Sequence, residues 1–187
     1  MRARALCAAA VVVALFPLRA VAKEVAGVTF PPTVEAAGKV LKLNGAGLRS
    51  RFFIKVYAIG LYLERPGGDA TAVLGADQVR RAELHMLRSV DGSEMAGAIG
   101  EAFTANAGGA AGQLQGRLDR FKGMFPNAAV GEVITLTYVP GTGTTVGAGG
   151  RDLGTIEGKD FADVLFSAWI GAHPVDDSLK SALLAGR

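Results

Sequence analysis

The sequence predicts a single α+β domain built around a large antiparallel sheet. Three observations carry that reading. Stretches with two-residue periodicity fall into two groups, stretches with helical periodicity follow each group, and the strand connections read as hairpins rather than regular alternation of strand and helix. A doubly wound parallel sheet is disfavoured, because parallel neighbours need a crossover of a dozen or more residues between strands.

The first group begins with residues 25–30, a short strand pattern ended by Pro31-Pro32. Residues 39–43 alternate polar and apolar ahead of Gly45-Ala46-Gly47, which reads as a turn. Residues 51–63 then give the longest strand pattern. One parity holds Phe52, Ile54, Val56, Ala58, Gly60 and Tyr62; the other mixes Arg51, Phe53, Lys55, Tyr57, Ile59, Leu61 and Leu63. Apolar residues on both parities predict a strand covered on both faces. In residues 79–88, Ala82, Leu84 and Met86 face one way and Arg81, Glu83 and His85 the other.

Asp91 followed by Glu94 forms a capping-box pattern, and Met95, Ile99 and Phe103 continue it at helical spacing. A second helix is predicted over residues 110–122, with Ala111, Leu114, Leu118 and Phe121 on one face. Strand pattern returns at 133–139, 144–148 and 151–156, separated by Pro140-Gly141-Thr142-Gly143 and Gly149-Gly150, as expected for a meander. Phe161, Val164, Leu165, Ala168 and Trp169 mark a helix that Gly171 closes and Pro174 prevents from continuing. Asp176 caps a last short helix with Leu179, Ala182 and Leu183 inward.

The N-terminus carries a different signal. A basic start (Arg2, Arg4), a short apolar run interrupted by Pro17 and the pattern Ala20-Val21-Ala22 read as a secretory signal peptide over residues 1–22. The run is too short to span a bilayer. Residues 23–187 would then form one exported, periplasmic domain with no transmembrane span. Removing Arg2, Arg4 and Arg19 lowers the basic count from 20 to 17 against 17 acids, so the formal charge falls from +3 to 0. The remaining chain has no basic run with interleaved aromatics, and nucleic-acid binding is not expected. Its one cysteine, Cys7, leaves with the leader. With only His85 and His173 and no cysteine, no metal site is expected, and no cofactor is implied. His85 reads as a solvated or interface residue, and His173 as a structural residue at a helix end. Gly45-Ala46-Gly47 and Gly141-Thr142-Gly143 open no helix that could receive a phosphate.

The residue that points to function is Arg49, a guanidinium at the edge of a core. Such a group cannot neutralise itself, so it must reach water or meet an anion. The segments N-G-A-G-L-R-S-R-F-F-I-K-V-Y-A-I-G-L-Y-L-E, L-T-Y-V-P-G-T-G-T-T-V and D-F-A-D-V-L-F-S-A-W-I-G-A-H-P-V-D-D-S-L-K resemble the chalcone isomerase family, in its bacterial chalcone isomerase-like branch. The resemblance implies an open sandwich: a large antiparallel sheet, a layer of helices and a ligand cleft between them.

Plant members cyclise a chalcone by adding a phenolate to an enone, which needs a cation, hydroxyl donors at the ketone and a closed apolar cleft. By resemblance Arg49 matches the family's arginine, and would be the catalytic cation of an isomerase. Tyr57 stands where the enzymes carry a threonine. Met95 and Ala102 stand where they carry a tyrosine and an asparagine, and Ala168 where they carry a threonine or serine, with Ser167 one residue away. A non-catalytic branch binds fatty acids through an arginine and a tyrosine, which Arg49 and Tyr57 match. The leading expectation is therefore a binder of a small amphipathic carboxylate such as a fatty acid. An intramolecular lyase acting on an enone phenol is the alternative, and a non-catalytic interaction or assembly module, which an exposed apolar strip beside the long strand would favour, is the third. Arg51, Lys55 and Arg88 read either as a positive surface extending from Arg49 or as solvated strand-edge charges.

The leading reading carries a geometric demand. Eight residues of straight strand would part Arg49 from Tyr57 by roughly 27 Å, so a turn or bulge near residues 47–50 must fold the arginine back. In the competing reading Arg49 caps a surface hairpin and Tyr57 fills core with its hydroxyl on a backbone carbonyl.

Overall fold

The structure is a computed structural model that describes residues 22–186. The expected signal peptide lies outside the described residues. Two hairpins begin the fold. β1 (Lys23–Val25) and β2 (Val28–Phe30) pair across Ala26-Gly27, and β3 (Thr33–Ala36) pairs with β4 (Lys39–Arg51) across Ala37-Gly38. Both turns take positive φ at both central residues, the geometry in which a two-residue hairpin follows strand twist. Residues 25–30 are thus a hairpin rather than one strand, and β3 adds a strand that the pattern did not disclose.

The main sheet has seven antiparallel strands in the order β3-β4-β5-β6-β7-β8-β9, each paired with its neighbour in sequence. After β4 come β5 (Ile54–Leu63), β6 (Arg80–Met86), β7 (Val133–Val139), β8 (Gly143–Ala148) and β9 (Arg151–Ile156). The helices are α1 (Ala70–Gly75), α2 (Gly92–Ala107), α3 (Ala111–Met124), α4 (Lys159–Ile170) and α5 (Asp177–Leu183), with a single 3-10 turn before α3. This is the expected α+β class.

Two expectations about the 44–64 region are corrected. Gly45-Ala46-Gly47 is not a turn but the middle of β4, and residues 51–63 are not one strand. The chain reverses at Phe52-Phe53, with Arg51 paired to Ile54. The glycines are needed by α5, which lies directly on the β4 backbone. A Cβ on Gly45 would come within 2.3 Å of the Ala182 carbonyl oxygen, and one on Gly47 within 2.6 Å of Leu179. A side chain at either place would lift the helix from the sheet.

The sheet is covered on both faces. Tyr57, Ile59, Leu61 and Leu63 join Ala82, Leu84 and Met86 beneath the helices, against residues such as Phe103, Phe121, Phe161, Leu165 and Trp169. On the opposite face, Ala58 and Tyr62 pack with Phe30 of β2 and Leu41. Phe30 sits where a Cβ on Gly60 would be, 2.6 Å from its ring. His85 also lies on this face, edge-on to Phe30 at 5.0 Å, so it is a packed histidine rather than a solvated one.

Candidate functional site

Arg49 and Tyr57 are register partners across the β4–β5 hairpin. Paired residues point to the same face with Cβ atoms about 5 Å apart, so both side chains rise on the helix side of the sheet. The demand made by the sequence is met by the turn at Phe52-Phe53 together with a bulge between Arg49 and Ser50.

Arg49 is about one-fifth exposed. Its Nη1 donates to the Ser50 carbonyl oxygen at 2.5 Å and to Asp176 Oδ2 at 3.2 Å. Both bonds leave from one nitrogen, and among the described residues Nε and Nη2 have no acceptor. Asp176 is the N-cap of α5: its Oδ1 accepts from the Leu179 amide at 3.0 Å and from Ser178 Oγ at 2.6 Å. Burial would raise the Asp176 carboxyl. The Ser178 and Leu179 hydrogen bonds and the Arg49 charge outweigh that effect and hold the carboxyl below its usual range.

Tyr57 is buried, and its hydroxyl oxygen accepts a hydrogen bond from the Trp169 indole at 3.0 Å. The competing expectation of a bond to a backbone carbonyl is not what the structure holds. The phenolic proton has no acceptor among the described residues. Burial pushes the phenol up to about 12, against the smaller opposing effects of the Trp169 bond and Arg49. Tyr57 is therefore a neutral donor at any physiological pH, beside a cation with unused donors.

Trp169 also borders a small space between sheet and helices. Ile59, Leu61 and Ala82 form its floor, Phe166, Trp169 and Ile170 of α4 its roof, and Leu183 of α5 its end. Every lining residue is apolar, and the space accessible to water is about 10 Å³, enough for one water molecule. Where the cleft was expected, between the sheet and the helices, the side chains leave only this small apolar space. Met95, Ala102 and Ala168 are buried and apolar. Ser167 donates to the Val164 carbonyl oxygen of its own helix at 2.5 Å, so it supplies no free hydroxyl.

Three contributors escaped the sequence reading. Asp176 was legible as a cap, but its pairing with Arg49 spans 127 positions. Trp169 shows in the sequence only as part of a helical apolar stripe, and its indole's partner, Tyr57, lies 112 positions away. Asn106 binds the backbone amide and carbonyl of His173 at 3.0 and 2.7 Å, fixing the segment between α4 and α5. His173 is thus structural through its backbone.

A second buried cation lies elsewhere in the helix layer. Arg80 is fully buried, donates to the Leu74 carbonyl oxygen at 3.0 Å and to Asp163 at 2.5 Å, and lies between the rings of Tyr138 and Phe166. Lys159 shares Asp163 and Leu74. This group ties α1 to α4; Arg80 Nε has no acceptor among the described residues, but the side chain is fully buried and presents no donor to an incoming ligand.

Comparison with known proteins bears on the fold and the family. No match is found among curated proteins. Among solved structures, a crystal structure of a fatty-acid binding protein from Arabidopsis thaliana superposes with a TM-score of 0.69 at 19% identity, covering 84% of this chain and 92% of that one. At that identity the likeness shows a shared fold. A family model described as chalcone isomerase-like matches residues 22–185, nearly the whole chain. The chain belongs to the chalcone isomerase-like family.

Proposed function

We propose that this chain is an exported binding protein for an amphipathic carboxylate such as a fatty acid, with Arg49 and Tyr57 on the carboxylate. One observation carries the reading: register partners on one sheet face both hold unused donors, Nε and Nη2 of Arg49 and the hydroxyl of Tyr57. A guanidinium fork and a neutral phenol suit a carboxylate, and the apolar seam beside Trp169 suits a hydrocarbon tail. The fatty-acid binding protein of the same fold supports the ligand class.

The seam must widen to take a tail. Pockets for ligands of that size run from about 300 Å³ upward, far above the closed volume. Binding in this reading parts α5 and the end of α4 from β5, and the Asp176–Arg49 pair is broken as the ligand carboxylate replaces Asp176.

The test is gentle purification of the full chain, mass spectrometry of extracted lipid, and titration with dodecanoate. Arg49→Ala should lose the co-purified acid and weaken dodecanoate about tenfold to a hundredfold, the worth of charge-assisted bonds. Wild-type protein that carries no acid and does not respond to dodecanoate would sink the proposal.

A further inference from the structure

Four two-residue hairpin turns share one backbone geometry but not one chemistry. Ala26-Gly27, Ala37-Gly38 and Gly149-Gly150 put glycine at the second position, where positive φ costs least. The β4–β5 turn instead places Phe52 and Phe53 at φ 47° and 66°. Two bulky residues in the left-handed region are strained, and strain of that kind persists where the side chains have another use. Neither ring serves the core: Phe52 is 82% exposed and Phe53 fully exposed, and Ile54 beside them is half exposed.

The surroundings indicate what the tip meets. Arg51 and Lys55 flank the three apolar residues, both exposed, with Arg51 stacked 5.6 Å from the Phe52 ring centroid. Arg88 is exposed just beyond the end of β6, and Val130, 65% exposed, precedes β7 at the same end of the sheet. The acids at this end include Glu94, 3.9 Å from Arg51, and Asp176 on Arg49, with Asp91, Glu132, Asp152 and Asp177 exposed in the neighbouring segments. A protein partner would need about 800 Å² from this surface. The three apolar side chains at the tip, about 200 Å² each at most, do not supply that area by themselves. Aromatic tips ringed by long cations are instead the make-up of an interfacial anchor on anionic lipid.

We propose that the β4–β5 tip docks this protein on an anionic bilayer, with Phe52, Phe53 and Ile54 in the interface and Arg51, Lys55 and Arg88 at the headgroups. The inference rests on the tip alone and stands whether or not the carboxylate reading holds.

The experiment uses the full chain with Phe53→Trp, whose indole reports from the tip while Trp169 stays buried. It is mixed with vesicles of phosphatidylcholine alone, or of equimolar phosphatidylcholine and phosphatidylglycerol, with brominated acyl chains as quenchers. With the anionic vesicles the tip emission should shift to the blue and be quenched. Arg51→Gln and Lys55→Gln should each weaken partitioning about fivefold, and Phe52→Ser with Ile54→Ser should abolish the quenching. Because these positions are exposed, near-ultraviolet circular dichroism of each variant should match the parent. An indole that keeps its aqueous emission with anionic vesicles overturns the proposal. So does one indifferent to lipid charge, or one that becomes buried only at high protein concentration without lipid, which would mark a contact between copies of the chain.

Discussion

Replacing Asp176 with asparagine separates its two roles. Asparagine caps a helix as well as aspartate, so the Leu179 amide keeps its acceptor and α5 its start. What disappears is the charge 3.2 Å from Arg49. At that distance two unit charges attract by about 5 kcal/mol at an effective dielectric near 20, and by about 1.3 kcal/mol in bulk water. Both side chains are about one-fifth exposed, and the desolvation of each offsets part of the attraction. A net loss of about 1 kcal/mol in stability is expected, a fall in Tm of about 2–4 °C for a chain of this size.

Affinity should move the other way. In Asp176→Asn the guanidinium has no competing carboxylate, and an incoming carboxylate meets no like charge. A gain of about 1–2 kcal/mol follows, or dodecanoate bound roughly 5–30-fold more tightly. Isothermal titration on wild type and variant, with thermal melts of both, measures the two quantities together. A less stable variant with unchanged or weaker dodecanoate binding would refute the idea that Asp176 holds the place of a ligand.

Other perturbations test the frame around that pair. Gly45→Ala drives a methyl into the Ala182 carbonyl, and should cost roughly 2 kcal/mol in urea denaturation by lifting α5. Phe53→Gly relieves a left-handed backbone, and should raise stability by about 0.5–1 kcal/mol while weakening vesicle binding; a melt and a sedimentation assay read the two effects. On acidification, Asp176 and Asp160 are held below their usual values, so the unfolded chain takes up protons first and stability should fall from about pH 4 downward. On the alkaline side, Tyr57 and Tyr138 are pushed up to about 12, chiefly by burial, so the unfolded chain ionises first and stability should fall from about pH 10 upward; equilibrium unfolding across pH checks both limbs. Hydrogen exchange should be faster in α5 than in α4, because the shorter helix has less to unmake when it opens.

Legibility in the sequence followed how local each signal was. The β7–β9 meander could be bounded closely because Pro140-Gly141 and Gly149-Gly150 announce its turns within the chain itself. α2 and α4 were visible because cap and apolar stripe fall within a few residues of each other. The β4–β5 hairpin was hidden because its turn is made of two phenylalanines, residues that ordinarily signal strand, and because the glycines nearby serve packing against a helix more than a hundred positions away. α1, six residues long, is too short to show a helical period. Arg49 and Tyr57 were legible as residues, but their pairing depended on a turn with no turn chemistry to mark it.

The two cations under the helices show why burial alone does not identify a ligand site. Arg80 is the more deeply buried, and by exposure it would be the better candidate. Its two Nη nitrogens are held by backbone carbonyls and Asp163, its unpartnered Nε is buried with the rest of the side chain, and two rings flank the guanidinium, so removing it would orphan groups of the protein itself. Arg49 keeps a partial exposure and spends one nitrogen on two acceptors, leaving the rest of its fork uncommitted. An unpaired arginine beside a core is costly, and Asp176 reduces that cost in the closed form without saturating the guanidinium. The property that marks Arg49 for an external anion is the unfilled donor next to Tyr57, and it is a property of the folded hairpin rather than of either residue.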